Sequence, residues 1–350
     1  MSILKFVKDF YEIFTSAKSF KDNDIFGSYW ANRCGLHVLR LCMGHWMSQF
    51  RWLLLSWRLD KDLRDRFHKD GYLIIEDFLP EELFNQLEAE MRVYERGMRE
   101  CHQGNTVTQR VLFDFEDEYN VPEILSLKNL DKLNNLFRYC GAANHSPVLY
   151  KEKVNNGVLD TDQPDPQKNL HSDTFHPTVK AWIYLDDVTE ENGPYNYVRG
   201  SNRLTWERVK WEYNKSLDAK NSKDAYTQKG SFRADGDDLK ELGLPEPQAI
   251  TAKRNTLVIA NTYGFHKRGE AQDGTTRLSL YAQDRANPFP AFFTCDYAWT
   301  RDMRVWALKR RDYLNEREAL AKGTQPIWRR SNLSAKKQDV LKAEKPKKAA

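Results

Sequence analysis

The chain has 350 residues, of which 40% are hydrophobic and 30% charged, a balance typical of a domain that can bury a sizeable core in water. The formal net charge of +4 is modest, and part of it lies in a lysine-rich end, so it does not predict a nucleic-acid partner. The five cysteines are odd in number and lack disulfide or metal-site spacing, which predicts free thiols in a reducing, cytoplasmic compartment: Cys34, Cys42, Cys101, Cys140 and Cys295.

Residues 1–60 precede the first motif. The start, MSILKFVKDFYEIF, is interrupted by charges and does not predict a signal peptide. Residues 35–59, GLHVLRLCMGHWMSQFRWLLLSWRL, are apolar but carry arginines, and no run reaches the roughly 18–20 apolar residues of a membrane span. We favour a helix packed on the core or at a dimer contact. The alternative is a helix at a membrane interface, which tryptophans and arginines suit.

Hydrophobic periodicity predicts a helix and several strands. Pro80 opens a helix whose apolar stripe predicts packing against a sheet: Leu83, Phe84, Leu87, Met91, Tyr94 and Met98. Four segments predict half-buried antiparallel strands: IIED (74–77), AWIYLDD (181–187), TLVIA (256–260) and RLSLYAQ (277–283). No internal repeat interrupts this order.

The segment QKNLHSDTFHP places His171 and Asp173 two residues apart. In an extended strand these side chains share a face and can bind one ion, whereas His176, at an odd offset, faces the other way. A His-x-Asp alone usually marks a turn or an ordinary hydrogen bond, so a third ligand must come from elsewhere. His266, in NTYGFHKRGEAQDGTTRLSLY, is the candidate. Two histidines and one carboxylate form the facial triad of non-haem Fe(II) oxygenases and leave three coordination positions for a bidentate 2-oxo acid and O2.

Arg277 follows His266 by eleven residues and shares a strand face with Ser279. An arginine in a strand is usually an edge charge. Here, however, a guanidinium that grips a carboxylate bidentately, with a hydroxyl beside it, suits the far carboxylate of 2-oxoglutarate.

Together these segments resemble the phytanoyl-CoA dioxygenase family of Fe(II)/2-oxoglutarate oxygenases. The resemblance covers roughly residues 61–295 and rests on four stretches: FHKDGYLIIEDFLPEEL (67–83), HSD (171–173), AWIYLDDVTEENGPYNYVRGSN (181–202), and His266 with the Arg277-x-Ser279 pattern. It implies a mainly β fold with flanking helices, whose core is a double-stranded β-helix of the jelly-roll, cupin-like kind.

The resemblance also implies roles for single residues. His171, Asp173 and His266 would bind Fe(II), and Arg277, helped by Ser279, would bind the C5 carboxylate of 2-oxoglutarate. Trp182 would line the cosubstrate pocket, although a plain core tryptophan is an equal interpretation. Lys153 is a weaker candidate for a second cosubstrate contact, because a solvated lysine is the simpler interpretation.

The implied activity is hydroxylation of an unactivated C–H bond of a small organic or lipid-like substrate with O2, releasing succinate and CO2, with ascorbate as reductant in assays. Asp173 favours hydroxylation, because halogenating relatives carry a small residue there. Three alternatives stay open: a membrane-presented lipid or glycolipid sugar as substrate, a metal enzyme without 2-oxoglutarate, and a silent binding barrel. The oligomeric state is not predicted.

The predicted organisation has three parts. Residues 1–60 form a helical extension, and residues 61–300 form the oxygenase domain with a polar lid insertion at about 202–247. Residues 301–350 form a basic helix, about 301–321, and the lysine-rich tail AKKQDVLKAEKPKKAA, which we expect to be disordered.

Overall fold

The computed structural model of the chain describes residues 2–291 and 298–331. The helices are α1 Ile3–Glu12, α2 Tyr29–Arg33, α3 Leu36–Leu54, α4 Lys61–Asp70, α5 Glu81–Val93, α6 Pro122–Ser126, α7 Asp131–Cys140, α8 Trp206–Leu217, α9 Ala225–Gln228, α10 Gly236–Glu241 and α11 Ala298–Ala321. The strands are β1 Tyr72–Ile75, β2 Arg99–Gln103, β3 Thr106–Leu112, β4 Val148–Asn155, β5 Val179–Tyr184, β6 Tyr195–Tyr197, β7 Gln248–Ile250, β8 Leu257–Asn261, β9 His266–Arg268, β10 Thr276–Asp284 and β11 Arg329–Arg330.

The main sheet has eight strands in the order β1-β8-β5-β10-β4-β3-β2-β11, and neighbouring strands are antiparallel. The four predicted strand segments overlap β1, β5, β8 and β10, although the first shares only its residues 74 and 75 with β1. Tyr281 of β10 lies opposite Trp182 of β5 and Tyr150 of β4, so these rings share one face of the sheet.

A second antiparallel sheet, β7-β6-β9, faces the inner side of the main sheet. Side chains of the two sheets form one buried cluster, in which Tyr195 and Ile250 of the small sheet pack with Trp182 and Tyr281 of the main sheet. Two facing antiparallel sheets with polar groups between them form the predicted jelly-roll core, which is thereby confirmed.

Helices cover the outer side of the main sheet. Phe84, Leu87 and Met91 of α5 pack there with residues of α7 and with the outward-facing Leu280 and Ile183. The core role predicted for the apolar stripe after Pro80 is confirmed. Its length was overestimated, because the helix ends at Val93. Tyr94 and Met98 nevertheless reach the same core from the connection to β2.

The predicted N-terminal extension packs on this core. Trp52 of α3 and Leu55 belong to the same buried cluster as α5, and the Trp52 indole donates a hydrogen bond of 2.7 Å to the carbonyl of Tyr139. Arg40 of α3 donates to the carbonyls of Ile13, Thr15 and Ala17 and so fixes the segment that follows α1. No helix in the described part of the chain is long and apolar enough to cross a membrane.

The insertion predicted as a lid, residues 202–247, folds into α8, α9 and α10. Trp211, Phe232 and Leu239 are buried in a cluster with Phe20 and Phe265. The insertion therefore has a hydrophobic anchor of its own on the barrel, which polar composition alone did not predict.

The C-terminal region starts with α11, three residues earlier than the basic helix predicted at 301. Val305 and Leu308 of α11 pack against the inner cluster of the barrel. The predicted disordered tail at 335–350 lies outside the described residues, as does Cys295. Cys34, Cys42, Cys101 and Cys140 are free thiols.

Gly71 joins α4 to β1 in a conformation and a space that favour glycine. It ends α4 with a φ of 88° and leads directly into β1, and a Cβ added there would collide with Tyr197 and Asn202. We expect Gly71→Ala to lower the free energy of unfolding by about 3 kcal/mol, because left-handed strain adds to overpacking.

Gly243→Ala is the matched control, because Gly243 has a φ of 63° but open space around its Cα. It should cost only about 1 kcal/mol. Urea denaturation of both variants measures the difference, and equal losses would show that the contact with β6 does not restrict this position.

Candidate metal centre and cosubstrate cavity

His171 and His266 are held together by their own backbones. The N–H of each donates to the carbonyl of the other, with N···O distances of 3.0 and 2.9 Å. This single antiparallel bridge extends the small sheet at β9 and sets the imidazole centroids 4.5 Å apart. The regular strand expected at the His-x-Asp motif is reduced to this bridge, and the chain turns away after it.

Asp173 completes the cluster. Its N–H donates to the carbonyl of Thr262 at 2.9 Å, and its Oδ1 lies 3.9 Å from His171 Nε2 and 3.7 Å from His266 Nε2. One potential ligand atom from each of the three residues lies within 4.8 Å of the others, a spacing at which one ion can bind all three.

Hydrogen bonds fix which imidazole nitrogen is free. His171 Nδ1 lies 2.7 Å from the carbonyl of Asn169, and His266 Nδ1 lies 2.9 Å from that of Gly264. A carbonyl only accepts, so each Nδ1 carries the proton and each Nε2 keeps its lone pair. His266 Nε2 is buried without a hydrogen-bond partner. These donor atoms fit a divalent cation.

The charges around the cluster keep its members in metal-binding protonation states. Burial, with His266 and Arg233 nearby, lowers the pKa of His171 well below its usual range. Desolvation opposes ionisation of Asp173, but the Lys180 ammonium, 2.6 Å from Asp173 Oδ2, and the two imidazoles hold its pKa well below the usual range. At neutral pH the site therefore offers a neutral histidine and a carboxylate.

A cavity of about 320 Å³ lies beside the cluster and contains Arg277 in its wall. The guanidinium is buried, and its Nη1 donates to the carbonyl of Gly193 at 2.5 Å, while its Nε has no partner. Among the described residues, no carboxylate pairs with Arg277 within 4 Å. The buried hydroxyl of Ser279, on the same strand face, also has no partner. An anion in this cavity would satisfy Arg277, whereas Ser279 does not itself line the cavity wall.

Trp182 lines the same cavity. Its indole N–H donates to Glu152 at 3.1 Å, and that carboxylate is paired with Arg110 at 2.5 Å. Trp182 is therefore both a residue of the cavity wall and a buried core residue. Lys153, next to Glu152 on β4, lies on the opposite face with Leu149 and is absent from the cavity wall, so the structure does not bring it to the site.

His176 lies apart from the cluster, as its offset predicts. It is buried, with Nδ1 3.0 Å from the carbonyl of Pro177.

Sequence reasoning missed the cationic groups around Asp173. Lys180 lies two residues before Trp182 on β5, so strand alternation could have placed it on the inner face. Lys18 comes from the N-terminal segment and donates to the main-chain carbonyl of Asp173. Desolvation, followed by the nearby Arg285, lowers the pKa of Lys18 to about 7. Nothing in the sequence indicates this long-range contact.

The insertion also reaches the site. His171 forms a second isolated bridge with Arg233, and Tyr226 lines the cavity. Residues 226–233 thus lie over the cluster, although most of the insertion packs elsewhere.

Comparison with solved structures finds similar proteins at low sequence identity. The epimerase SnoN from nogalamycin biosynthesis is 18% identical, with a TM-score of 0.45, over 64% of this chain and 81% of that one. HygX from Streptomyces hygroscopicus, crystallised with nickel and 2-oxoglutarate, is 18% identical, with a TM-score of 0.39, over 64% of this chain and 86% of that one. EctD from S. alaskensis, with bound Fe, is 14% identical, with a TM-score of 0.38, over 65% and 76% of the two chains.

No curated protein matches the chain. The sequence model of the family described as phytanoyl-CoA dioxygenase (PhyH) matches residues 67–237. This match includes His171, Asp173 and Trp182 and ends before His266. Residues 67–237 of the chain are thus similar to the phytanoyl-CoA dioxygenase family.

Proposed function

We propose that the protein is an Fe(II)- and 2-oxoglutarate-dependent dioxygenase that hydroxylates a small organic or lipid-like substrate. In the overall reaction, substrate C–H, O2 and 2-oxoglutarate give the alcohol, succinate and CO2. One observation carries the proposal: two imidazoles with free Nε2 atoms and one carboxylate converge beside a buried arginine that has no carboxylate partner.

His171, Asp173 and His266 would hold the iron. Bound Fe(II) would supply the redox chemistry that couples decarboxylation of 2-oxoglutarate to oxidation of the C–H bond. Lys180 neutralises Asp173 Oδ2, so only Oδ1 faces the histidines. Asp173 would therefore bind through one oxygen and leave three positions of an octahedral ion open.

Arg277 would orient the cosubstrate by binding its far carboxylate, with the Ser279 hydroxyl as a further donor. The hydrogen bond from Arg277 to the Gly193 carbonyl holds the guanidinium in place before the anion arrives. Trp182, held by Glu152, forms an apolar wall that limits water near the metal.

Two alternatives make different demands on these residues. A metal enzyme without 2-oxoglutarate would not need the unpaired Arg277 and Ser279. A silent barrel would not need the two aligned Nε2 atoms. The buried polar groups without partners therefore favour the dioxygenase over both.

The triad is tested by succinate formation with Fe(II), ascorbate and 2-oxoglutarate. We expect oxygen-dependent succinate from the wild-type chain, and background levels with loss of bound metal from His171→Ala and Asp173→Ala. Metal content after dialysis is the second measurement. His102→Ala, on an exposed position of β2, is the control and should retain both properties. Undiminished metal binding in both triad variants would refute the assignment.

The cosubstrate role of Arg277 is tested with Arg277→Lys and Arg277→Gln. Lysine keeps the charge but loses the bidentate grip, so the KM for 2-oxoglutarate should rise about tenfold in the lysine variant and about a hundredfold in the glutamine variant. The kcat at saturation and the metal content should change much less. Arg254→Gln, at an exposed arginine, is the control. An unchanged KM for 2-oxoglutarate in a folded Arg277→Gln variant would show that Arg277 does not bind the cosubstrate.

We further propose that the outer face of α3 contacts a membrane surface. Its exposed apolar side chains form one helical stripe of Leu39, Met43, Trp46, Phe50 and Leu53, and the exposed Trp57 follows three residues after the helix ends. Trp46 is 71% exposed, which is unusual for a tryptophan on the surface of a folded domain. Residues 25–59 contain no carboxylate and four arginines, of which Arg33 is exposed, Arg58 is half-buried, and Arg40 and Arg51 are buried. The charge of Arg33 and Arg58 complements anionic lipid headgroups. The opposite face of α3 packs on the core, so the helix would lie in the interface.

Vesicle co-sedimentation of the full chain tests this contact. We expect binding to phosphatidylcholine vesicles that contain phosphatidylglycerol, and loss of binding when Trp46, Phe50 and Leu53 are all changed to Ser. Trp206→Ser, an exposed tryptophan on α8, is the control. Sedimentation velocity distinguishes a dimer contact. Binding to vesicles that survives the triple change, or a dimer that the change abolishes without vesicle binding, would overturn the proposal.

A further inference from the structure

A second, larger cavity of about 1020 Å³ lies on the other side of Asp173. Most of its wall comes from α1 with the segment that follows, the start of β5, the end of β10 and α11, and Val148, Asp173 and Thr262 complete it. Asp173, Lys180 and Gln283 line both cavities, so the two spaces meet at the candidate metal centre.

The wall of this cavity is strongly basic. Six cationic side chains line it: Lys8, Lys18, Lys180, Arg285, Arg304 and Arg311. Against them stand Glu12, Asp173 and Asp284. Lys8, Lys180 and Arg304 lie within 4.0 Å of these carboxylates, so the carboxylates of the wall are already paired.

Lys18 and Arg285 remain without a carboxylate. Lys18 donates to the main-chain carbonyl of Asp173, and Arg285 donates to that of Ser16. No carboxylate of the described residues pairs with either cation within 4 Å. Both cations line the same cavity. Like charges gathered in a concave wall raise the local potential and attract an anion.

The anion that this wall attracts is distinct from the proposed cosubstrate. The groups that suit the far carboxylate of 2-oxoglutarate are Arg277 and Ser279. Arg277 lines the smaller cavity, and neither residue lines the larger one. The larger cavity is therefore separate from the space proposed for the cosubstrate.

The rest of the wall combines hydroxyl and amide groups with apolar side chains. Val148, Val179 and Leu308 line it together with the ring of Tyr11. A ligand that satisfies this wall has an anionic end and an apolar body.

We propose that the substrate is an amphiphilic acid whose carboxylate or phosphate lies against Lys18 and Arg285. This inference rests on the proposed function and adds the substrate class. Because Lys18 contacts Asp173 itself, the acidic group lies next to the metal centre. The oxidised carbon is therefore only a few bonds from the acidic group, and the apolar body extends toward α1 and α11.

Calorimetry on the full chain, loaded with Ni²⁺ and saturating 2-oxoglutarate to prevent turnover, tests the proposal. Octanoate and octyl phosphate are the anionic probes, and octanamide and octylamine are the matched neutral and cationic probes, all below their micelle concentrations. At least one anion should bind about tenfold or more tightly than octanamide. The two anions together tell a carboxylate site from a phosphate site. Equal affinity for octanoate, octyl phosphate and octanamide would overturn the proposal.

Variants separate this site from a general effect of positive charge. Arg285→Gln and Lys18→Met should each weaken anion binding about tenfold and leave octanamide binding unchanged, whereas Lys18→Arg should restore it. Lys21→Gln and Arg310→Gln, exposed cations outside the cavity wall, are the controls. Anion binding that survives both cavity variants, or that falls equally in the controls, would overturn the assignment.

The outcomes also separate this inference from the proposed function. Normal metal binding and succinate formation without preference for anions would remove the substrate class alone. Loss of metal or 2-oxoglutarate binding would remove the proposed function, and the anion preference could still be measured on the metal-free chain.

Discussion

The backbone bridge between His171 and His266 is the constraint on which the rest of the site depends. Two hydrogen bonds join segments that are 95 residues apart in sequence, and they place two imidazoles side by side. Because the bridge lies at the end of β9, the antiparallel pairing of β6 with β9 determines where it forms. The carbonyls of Asn169 and Gly264 then orient the rings. The geometry of the candidate metal centre is thus a consequence of sheet register, which hydrophobic packing specifies.

Much of this arrangement could be predicted from sequence because strands impose a period of two. The spacing of Arg277 and Ser279 put both on one face of β10, whereas the position of Trp182 at the cavity was implied by the family resemblance. The same alternation excludes Lys153, since it differs by one residue from Glu152, which lines the cavity. Local patterns of this kind predict on which face of a strand a residue lies. Only the structure shows which strand faces pack against each other.

Long-range contacts could not be predicted in the same way. Lys18 reaches Asp173 across 155 residues, and its contact depends on how the N-terminal segment is held by Arg40. The insertion at 202–247 looked polar because its buried residues, such as Trp211 and Phe232, are few and separated. The helix after Pro80 ended earlier than its apolar stripe because Tyr94 and Met98 contact the core from extended chain. In each case tertiary packing, which no local window contains, decided the outcome.

The cations around Asp173 determine which of its oxygens faces the histidines and on which sides of the site anions are attracted. Lys180 occupies Oδ2, so the carboxylate presents Oδ1 toward the histidines and its charge is partly neutralised before any metal binds. A metal there would therefore keep more of its positive charge than one bound by an isolated carboxylate, and it would bind anionic ligands more strongly. Arg277 lies on one side of this centre, and Lys18 and Arg285 lie on the other. The two cavities thus offer separate cationic groups on either side of Asp173, as the proposed binding of an acidic cosubstrate and an acidic substrate requires.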